Sequence, residues 1–494
     1  GSIYNGDGIA LYHTNNSAVV NATVNESYAG AFTRYCQNTS LRDSYFSNNT
    51  YGALDESHAG SNYTLQNNTL LNISSVGVYL YSTISGGGVT VFNNTIRSSA
   101  TGVLVTLTLG NNVSYNNLTN STIALSLVLS NDNVVQGNQL LLNTAGLMTL
   151  SATNNSIDSN EFYGNTGGVL EAGGSNRYSN NNYSFSTQGL YLAGVENVLS
   201  YGDLFYNNTY GVYLDTASNN NVSNAVFDNN TYHLGFVAST YGYVINSTFS
   251  NHVTNQSLSD TASSNYLVNC TGMNASLQDF VDLDSELALA YFVNVTVFGS
   301  GGAEIAGATV QAQSNQSTLL YTASSPVTQA VTPVYLARGL NPLNYSPLSF
   351  TASYSGYGSS TVYSNVPNDT QVNITLTLLA GGGGSSGGDP SCDDCDSDGV
   401  CKNCCEFDPD CVYSSPTPSP QPSYQPTPTS TPSPSASVSP AASPPLAPPA
   451  ASKQIEPSPS ATVKPNEFSP EVWIAFVLLA AFAVLVFVLL KQRR

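Results

Sequence analysis

A unit of about 22 residues recurs roughly eleven times over the first 250 residues, and that repetition limits the folds open to this chain. Units open on a glycine followed by alternating apolar residues, as in Gly8-Ile9-Ala10-Leu11, Gly102-Val103-Leu104-Val105 and Gly211-Val212-Tyr213-Leu214. Gly146, Gly168, Gly189 and Gly211 are spaced by 22, 21 and 22 residues. Period-2 alternation after each glycine predicts a half-buried strand, not a helix. A short strand unit repeated at this period predicts a stacked solenoid in which each coil covers its neighbour.

Three residues before successive repeat starts stand Asn143, Asn165, Ser186, Asn208 and Asn230, the last preceding His233, where the glycine is lost. Asparagine tolerates left-handed turns, and stacked carboxamides can bond one another along a column. Val169, Leu190 and Val212 are expected to point inward and share one core. Eleven coils at ~4.8 Å would make a rod of roughly 50 Å. Gly8 already opens a repeat, so the sequence reads as starting inside or just before the rod, as a processed or truncated product.

The glycine starts and Asn-rich returns, such as Asn155–Asn165, resemble the right-handed parallel β-helix repeats of NosD-like periplasmic and archaeal surface proteins. The resemblance covers about residues 1–285. It implies the fold and a prokaryotic envelope setting. It does not imply one activity, because such scaffolds host lyases, hydrolases, adhesins and binding modules.

Composition narrows the function classes. The formal net charge is −20, and no lysine precedes Lys402. A chain without a basic footprint is a poor nucleic-acid binder. It is equally poor at holding a polyanion unless a cation mediates. More than twenty Asn-x-Ser/Thr sequons occur, all before residue 376, among them Asn21, Asn93, Asn207, Asn246 and Asn373. A chain rich in Asn, Ser and Thr generates some by chance.

After the rod the pattern changes. Residues 286–379 hold several alternating segments, Leu287–Phe298 the longest, and predict a small β-sandwich. Its Gly307-Ala308-Thr309-Val310 resembles carboxypeptidase-regulatory-like modules of surface proteins. Residues 380–391 form a Gly/Ser linker. Residues 392–412 carry Cys392, Cys395, Cys401, Cys404, Cys405 and Cys411, which in an oxidising setting read as a disulfide knot of open connectivity. A zinc or iron–sulfur site would need a reducing compartment instead. Within the knot, Asp394, Asp396 and Asp398 before Gly399 form the opening of a calcium loop. They resemble dockerin and thrombospondin type 3 loops, but Cys405 stands where the closing glutamate belongs.

Residues 413–470 are rich in Pro, Ser and Thr and predict an extended, unpacked stalk. Val472–Leu490 is uncharged and long enough to span a bilayer within a segment 471–490, and the tail 491–494 is basic. The sequence therefore predicts an all-β ectodomain outside the cell on a single-pass anchor, with its C-terminus in the cytoplasm.

Catalytic sets are sparse. The best polar cluster is His13, Arg34, Asp55, Glu56 and His58, with Arg34 and Glu56 expected side by side on adjacent coils. Tyr191 and Tyr213 are expected to stack outward, where aromatic faces can receive sugars. Cys36 and Cys270 lie too many coils apart to bond. The four histidines offer no copper ligand cluster. The reading is a membrane-anchored surface glycoprotein of structural, adhesive or carbohydrate-recognising role, with possible calcium and self-association in a coat. A tethered polysaccharide lyase or hydrolase is the alternative.

Overall fold

A computed structural model describes residues 6–56, 62–81, 88–262, 264–272, 278–280, 285–338, 343–366 and 370–379. The linker, cysteine cluster, calcium loop, stalk and apolar run fall outside the described residues. Among those described there is no helix, and so none long and apolar enough to cross a membrane.

Each coil carries three short strands. In one, Thr101–Thr106 holds the glycine motif, and Asn112–Ser114 and Asn117–Thr119 follow. Coil upon coil, these strands pair in parallel and in register: Val103 opposite Leu125, Val113 opposite Val135, Leu118 opposite Leu140. The result is three long sheets, the first of 13 strands. The solenoid has about 12 turns, one more than the repeat count predicts, because the last turns have lost the glycine start. The strand Tyr232–Val237 carries His233 in the glycine's place, and Asn255–Asp260 carries Gln256.

The side chains after the glycine face alternately in and out. Val169, Leu190 and Val212 are fully buried in one continuous core, as expected. That core contains an aromatic stack, Phe162, Tyr183, Phe205, Phe227 and Phe249, with ring centroids 4.8–5.0 Å apart. Each ring repeats at the strand spacing, so one coil's ring is the floor for the next.

Asparagine supplies the corners. The backbone N–H of Asn143 donates to Asn165 Oδ1 at 2.8 Å, and Asn208 repeats this with Asn230 at 2.8 Å. Ser186 sits in the same column and donates its N–H to Asn208 Oδ1 at 2.9 Å. Two further columns do the same work. One runs through Asn94, Asn116, Asn138, Asn160 and Asn181, the other through Asn111, Asn133, Asn155 and Asn176. All these asparagines are buried. Each satisfies a corner amide that the strands leave over, which an apolar residue could not.

The second sheet does not stop at residue 285. Glu286–Gly299 is a single 14-residue strand. Its first half closes the solenoid against Asn265–Val268. Its other edge pairs antiparallel with Val327–Arg338 from Glu286 to Val295, and its second half, Val293 to Gly299, pairs in parallel with Thr370–Leu376. A four-stranded antiparallel sheet, Leu319–Ser324, Thr309–Gln313, Leu348–Ser353 and Ser360–Ser364, encloses a second core with it around Val295, Val310, Phe350 and Ile374. One strand thus belongs to both cores.

Candidate functional site

The glycine bulge sets which residues face outward on the 13-stranded sheet: those one before, two after and four after the glycine. In the first coils this face gathers aromatic rings. Tyr28 meets Tyr51 at 5.4 Å between centroids, Tyr51 meets Tyr79 at 6.2 Å, and Tyr12 meets Phe32 at 5.3 Å. Tyr79 and Tyr81 lie 6.1 Å apart. Four of these tyrosines, Tyr12, Tyr28, Tyr51 and Tyr79, pack around Phe32 and Leu54 and stay half-buried.

A charged column runs beside the rings. Arg34 is in register with Glu56, and Glu56 with Tyr81. Arg34 Nε lies 3.7 Å from Glu56 Oε2, as the repeat spacing predicts. Burial holds the Glu56 carboxyl above its ordinary value against the pull of Arg34, and Asp7 adds to the rise. The Arg34 guanidinium also lies over the Tyr35 ring at 5.2 Å, and His13 stacks on Tyr35 at 4.8 Å.

Asp55 does not join them. Successive strand residues point to opposite faces, so Asp55 faces the core while Glu56 faces out. Asp55 is 1% exposed and accepts a bond from Thr33 Oγ1 at 2.5 Å. Burial pushes its carboxyl well up. The expected five-residue cluster is therefore corrected to Arg34, Glu56 and His13. His58 lies outside the described residues. Asp55 and Glu56 cannot flank one glycosidic bond, which the paired-carboxylate mechanism requires.

Tyr191 and Tyr213 are neighbours, 5.5 Å apart and in register. Their expected role as open stacking faces is corrected for Tyr191. It is only 4% exposed, and its hydroxyl donates to Asp215 Oδ2 at 2.8 Å. Tyr210 packs on Tyr213 and Tyr232, which narrows this patch further.

Other polar groups lie inside the rod, where the repeat alone does not announce them. Glu171 is fully buried, accepting from the backbone of Gly173 and Gly174, from Asn176 Nδ2 and from the Tyr178 hydroxyl. Asp203 replaces an asparagine of the second column. His233 is buried, with Nδ1 3.2 Å from Asn230 Nδ2 and Nε2 without a partner. Burial, with His252 adding to it, pushes the His233 imidazole down to about 4. The signal for all three is a break in a column. Cys36 and Cys270 are buried thiols, neither in a disulfide, and burial pushes Cys270 up to about 12. Of the expected glycan acceptors, Asn21, Asn93, Asn246 and Asn373 are exposed and Asn207 is half-buried. The six clustered cysteines and Asp394, Asp396 and Asp398 lie outside the described residues.

The architecture is that of a parallel β-solenoid protein. Residues 1–183 match the family described as "Periplasmic copper-binding protein (NosD)", so the NosD-like repeat resemblance holds over that stretch. No curated protein matches the chain. Similar solved structures include the A-module of the mannuronan C-5 epimerase AlgE4 from Azotobacter vinelandii, at 14% identity and TM-score 0.41, covering 56% of this chain and 89% of that one. The Dettilon tailspike protein gp208 shows 12% identity and TM-score 0.36, over 69% and 71% of the two chains. The alginate lyase AlyF-OU02 shows 13% identity and TM-score 0.36, over 57% and 84%.

A copper centre, as named in the family description, needs several ligand side chains converging on one point. Among the described residues no three His, Cys, Asp or Glu side chains converge on a point. His233 and His252 form a pair with ring centroids 6.1 Å apart, not a ligand set. The described residues do not fit a copper centre.

Proposed function

We propose that this chain is a single-pass cell-surface glycoprotein whose solenoid recognises carbohydrate, in a structural or adhesive role in the cell envelope. The observation that carries the recognition reading is the half-buried ring row Tyr28, Tyr51 and Tyr79 beside the Arg34–Glu56 pair. Aromatic faces receive the apolar faces of sugars, and a flanking ion pair can both donate to and accept from hydroxyls. The surface setting rests on the uncharged run Val472–Leu490, the basic tail after it and the sequons before residue 376. Calcium at Asp394, Asp396 and Asp398 is part of the same proposal.

The test is a glycan-array screen of the purified chain with and without calcium, beside a polysaccharide-degradation assay. Tyr51→Ala and Tyr79→Ala should each weaken binding at least tenfold, while Tyr213→Ala leaves it within twofold. Binding indifferent to Tyr51 and Tyr79 would remove this patch as the site. New reducing ends or unsaturated products would replace recognition with catalysis.

A further inference from the structure

The structure separates the asparagines into two sets. Those of the three inner columns are buried, and none of them begins an Asn-x-Ser/Thr sequon. The reason is geometric. In two of the columns the residue two positions after a ladder asparagine is an inward core residue: Leu70 after Asn68, Ile96 after Asn94, Val113 after Asn111. A serine or threonine there would bury a hydroxyl in the core. Sequon asparagines lie outside these columns: some, such as Asn112, Asn117, Asn182 and Asn221, are on strands, and others sit at left-handed turns, with Asn48, Asn67 and Asn93 each one residue before a ladder asparagine. Asn48, Asn67, Asn72 and Asn93 are exposed, with φ of 51°, 57°, 53° and 53°.

These outer asparagines also stack coil on coil. Asn93 Nδ2 donates to Asn67 Oδ1 at 2.9 Å, and Asn72 Nδ2 to Asn48 Oδ1 at 3.4 Å. Two such acceptors are therefore one strand spacing apart, about 4.8 Å. A branched, hydrated glycan is wider than that.

We propose that the outer turn columns are the N-glycan-bearing edges of the rod, and that a glycan on one coil excludes a second on the next coil of the same column. This rests on the glycoprotein reading above. In the transfer, a C1–O bond of a lipid-linked glycosyl diphosphate breaks and an Nδ2–C1 bond forms. The Nδ2 nitrogen loses one proton to the transferase's base, and the lipid diphosphate leaves. The remaining Nδ2–H can still bond along the column, so one glycan per pair leaves the turn intact.

Trypsin gives the test. It cuts after Arg42 and Arg97, and no Lys or Arg lies between, so residues 43–97 form one peptide. That peptide holds five sequons, at Asn48, Asn62, Asn67, Asn72 and Asn93. Asn48 shares a column with Asn72, and Asn67 with Asn93, while Asn62 stands in a third. Intact-glycopeptide mass spectrometry on the protein from its native membrane should find at most three glycans per peptide, never on both members of a pair. Asn67→Gln should raise occupancy at Asn93. A peptide with four or five glycans, or with both Asn67 and Asn93 modified, would overturn the exclusion and leave the glycoprotein reading standing. Unmodified peptides throughout the protein would overturn both. Asn93 occupancy unchanged in the Asn67→Gln protein would also count against the exclusion.

Discussion

Asp203 tests the inner ladder most sharply. Asn94, Asn116, Asn138, Asn160 and Asn181 hold the same column in the coils before it. Each donates Nδ2 to a backbone carbonyl of the preceding coil: Asn138 to Val113 at 2.8 Å, Asn160 to Val135 at 2.9 Å, Asn181 to Ile157 at 3.0 Å. Asp203 has no such donor when ionised. It accepts from Asn181 N at 2.7 Å and Nδ2 at 3.1 Å, and from Ser200 Oγ at 2.5 Å. Burial pushes its carboxyl from 3.8 up to about 6, and those bonds only partly oppose the rise. Between these values the folded chain holds more proton than the unfolded chain. The contribution to stability is therefore complete below 3.8 and lost as pH rises through 6. Two decades at ~1.4 kcal/mol each give about 3 kcal/mol. Asp203→Asn removes the ionisation and restores an Nδ2 donor directed at the Tyr178 carbonyl. The variant should match the parent within about 1 kcal/mol below the ordinary aspartate value and exceed it by about 2–3 kcal/mol at neutral pH and above. Repeat rods open locally, so the assay is hydrogen exchange of peptides spanning 177–206, with urea midpoints at both pH values. An equal difference at both pH values, or a variant less stable at the higher pH, would refute the reasoning.

Four further outcomes are expected. Asn165→Ala leaves the Asn143 N–H without its acceptor and should cost about 1–3 kcal/mol, read as faster exchange of amides near Asn143. Phe205→Ala removes a ring stacked on both sides and should cost about 3–5 kcal/mol by urea denaturation, with exchange rising in the two adjoining coils first. His233 has the opposite sign to Asp203. Its folded pKa of about 4 lies below 6.5, so stability should fall as pH drops through that window, and His233→Phe should flatten the fall in a pH series of unfolding midpoints. Gln at Glu56 should release Arg34 with less than about 1 kcal/mol lost, since both side chains are partly exposed, while changing glycan binding if the patch is the site.

The rod was legible because every coil meets the same surroundings. A glycine start, an inward Val or Leu and a corner asparagine recur where each coil needs the same bulge, core contact and amide acceptor. The Asn143–Asn230 column and the Arg34–Glu56 pair could be placed from spacing alone. The site was not legible in the same way, because a site is a departure from the repeat. Asp55 reads from the sequence as the neighbour of Glu56, yet strand alternation turns it into the core. Tyr191 reads as an open face, yet its neighbours and Asp215 close it. Tyr28, Tyr51 and Tyr79 stand at different distances from their glycines, so no single column announces them, and only the outward face brings them together. The sequons show the same logic in reverse. They look like added signals, but at Asn48, Asn67, Asn93, Asn207 and Asn229 a left-handed turn asparagine, a ladder asparagine and a threonine at or just before a strand start are enough to give Asn-Asn-Thr. Part of their abundance therefore belongs to the fold, and their occupancy decides what they say about function.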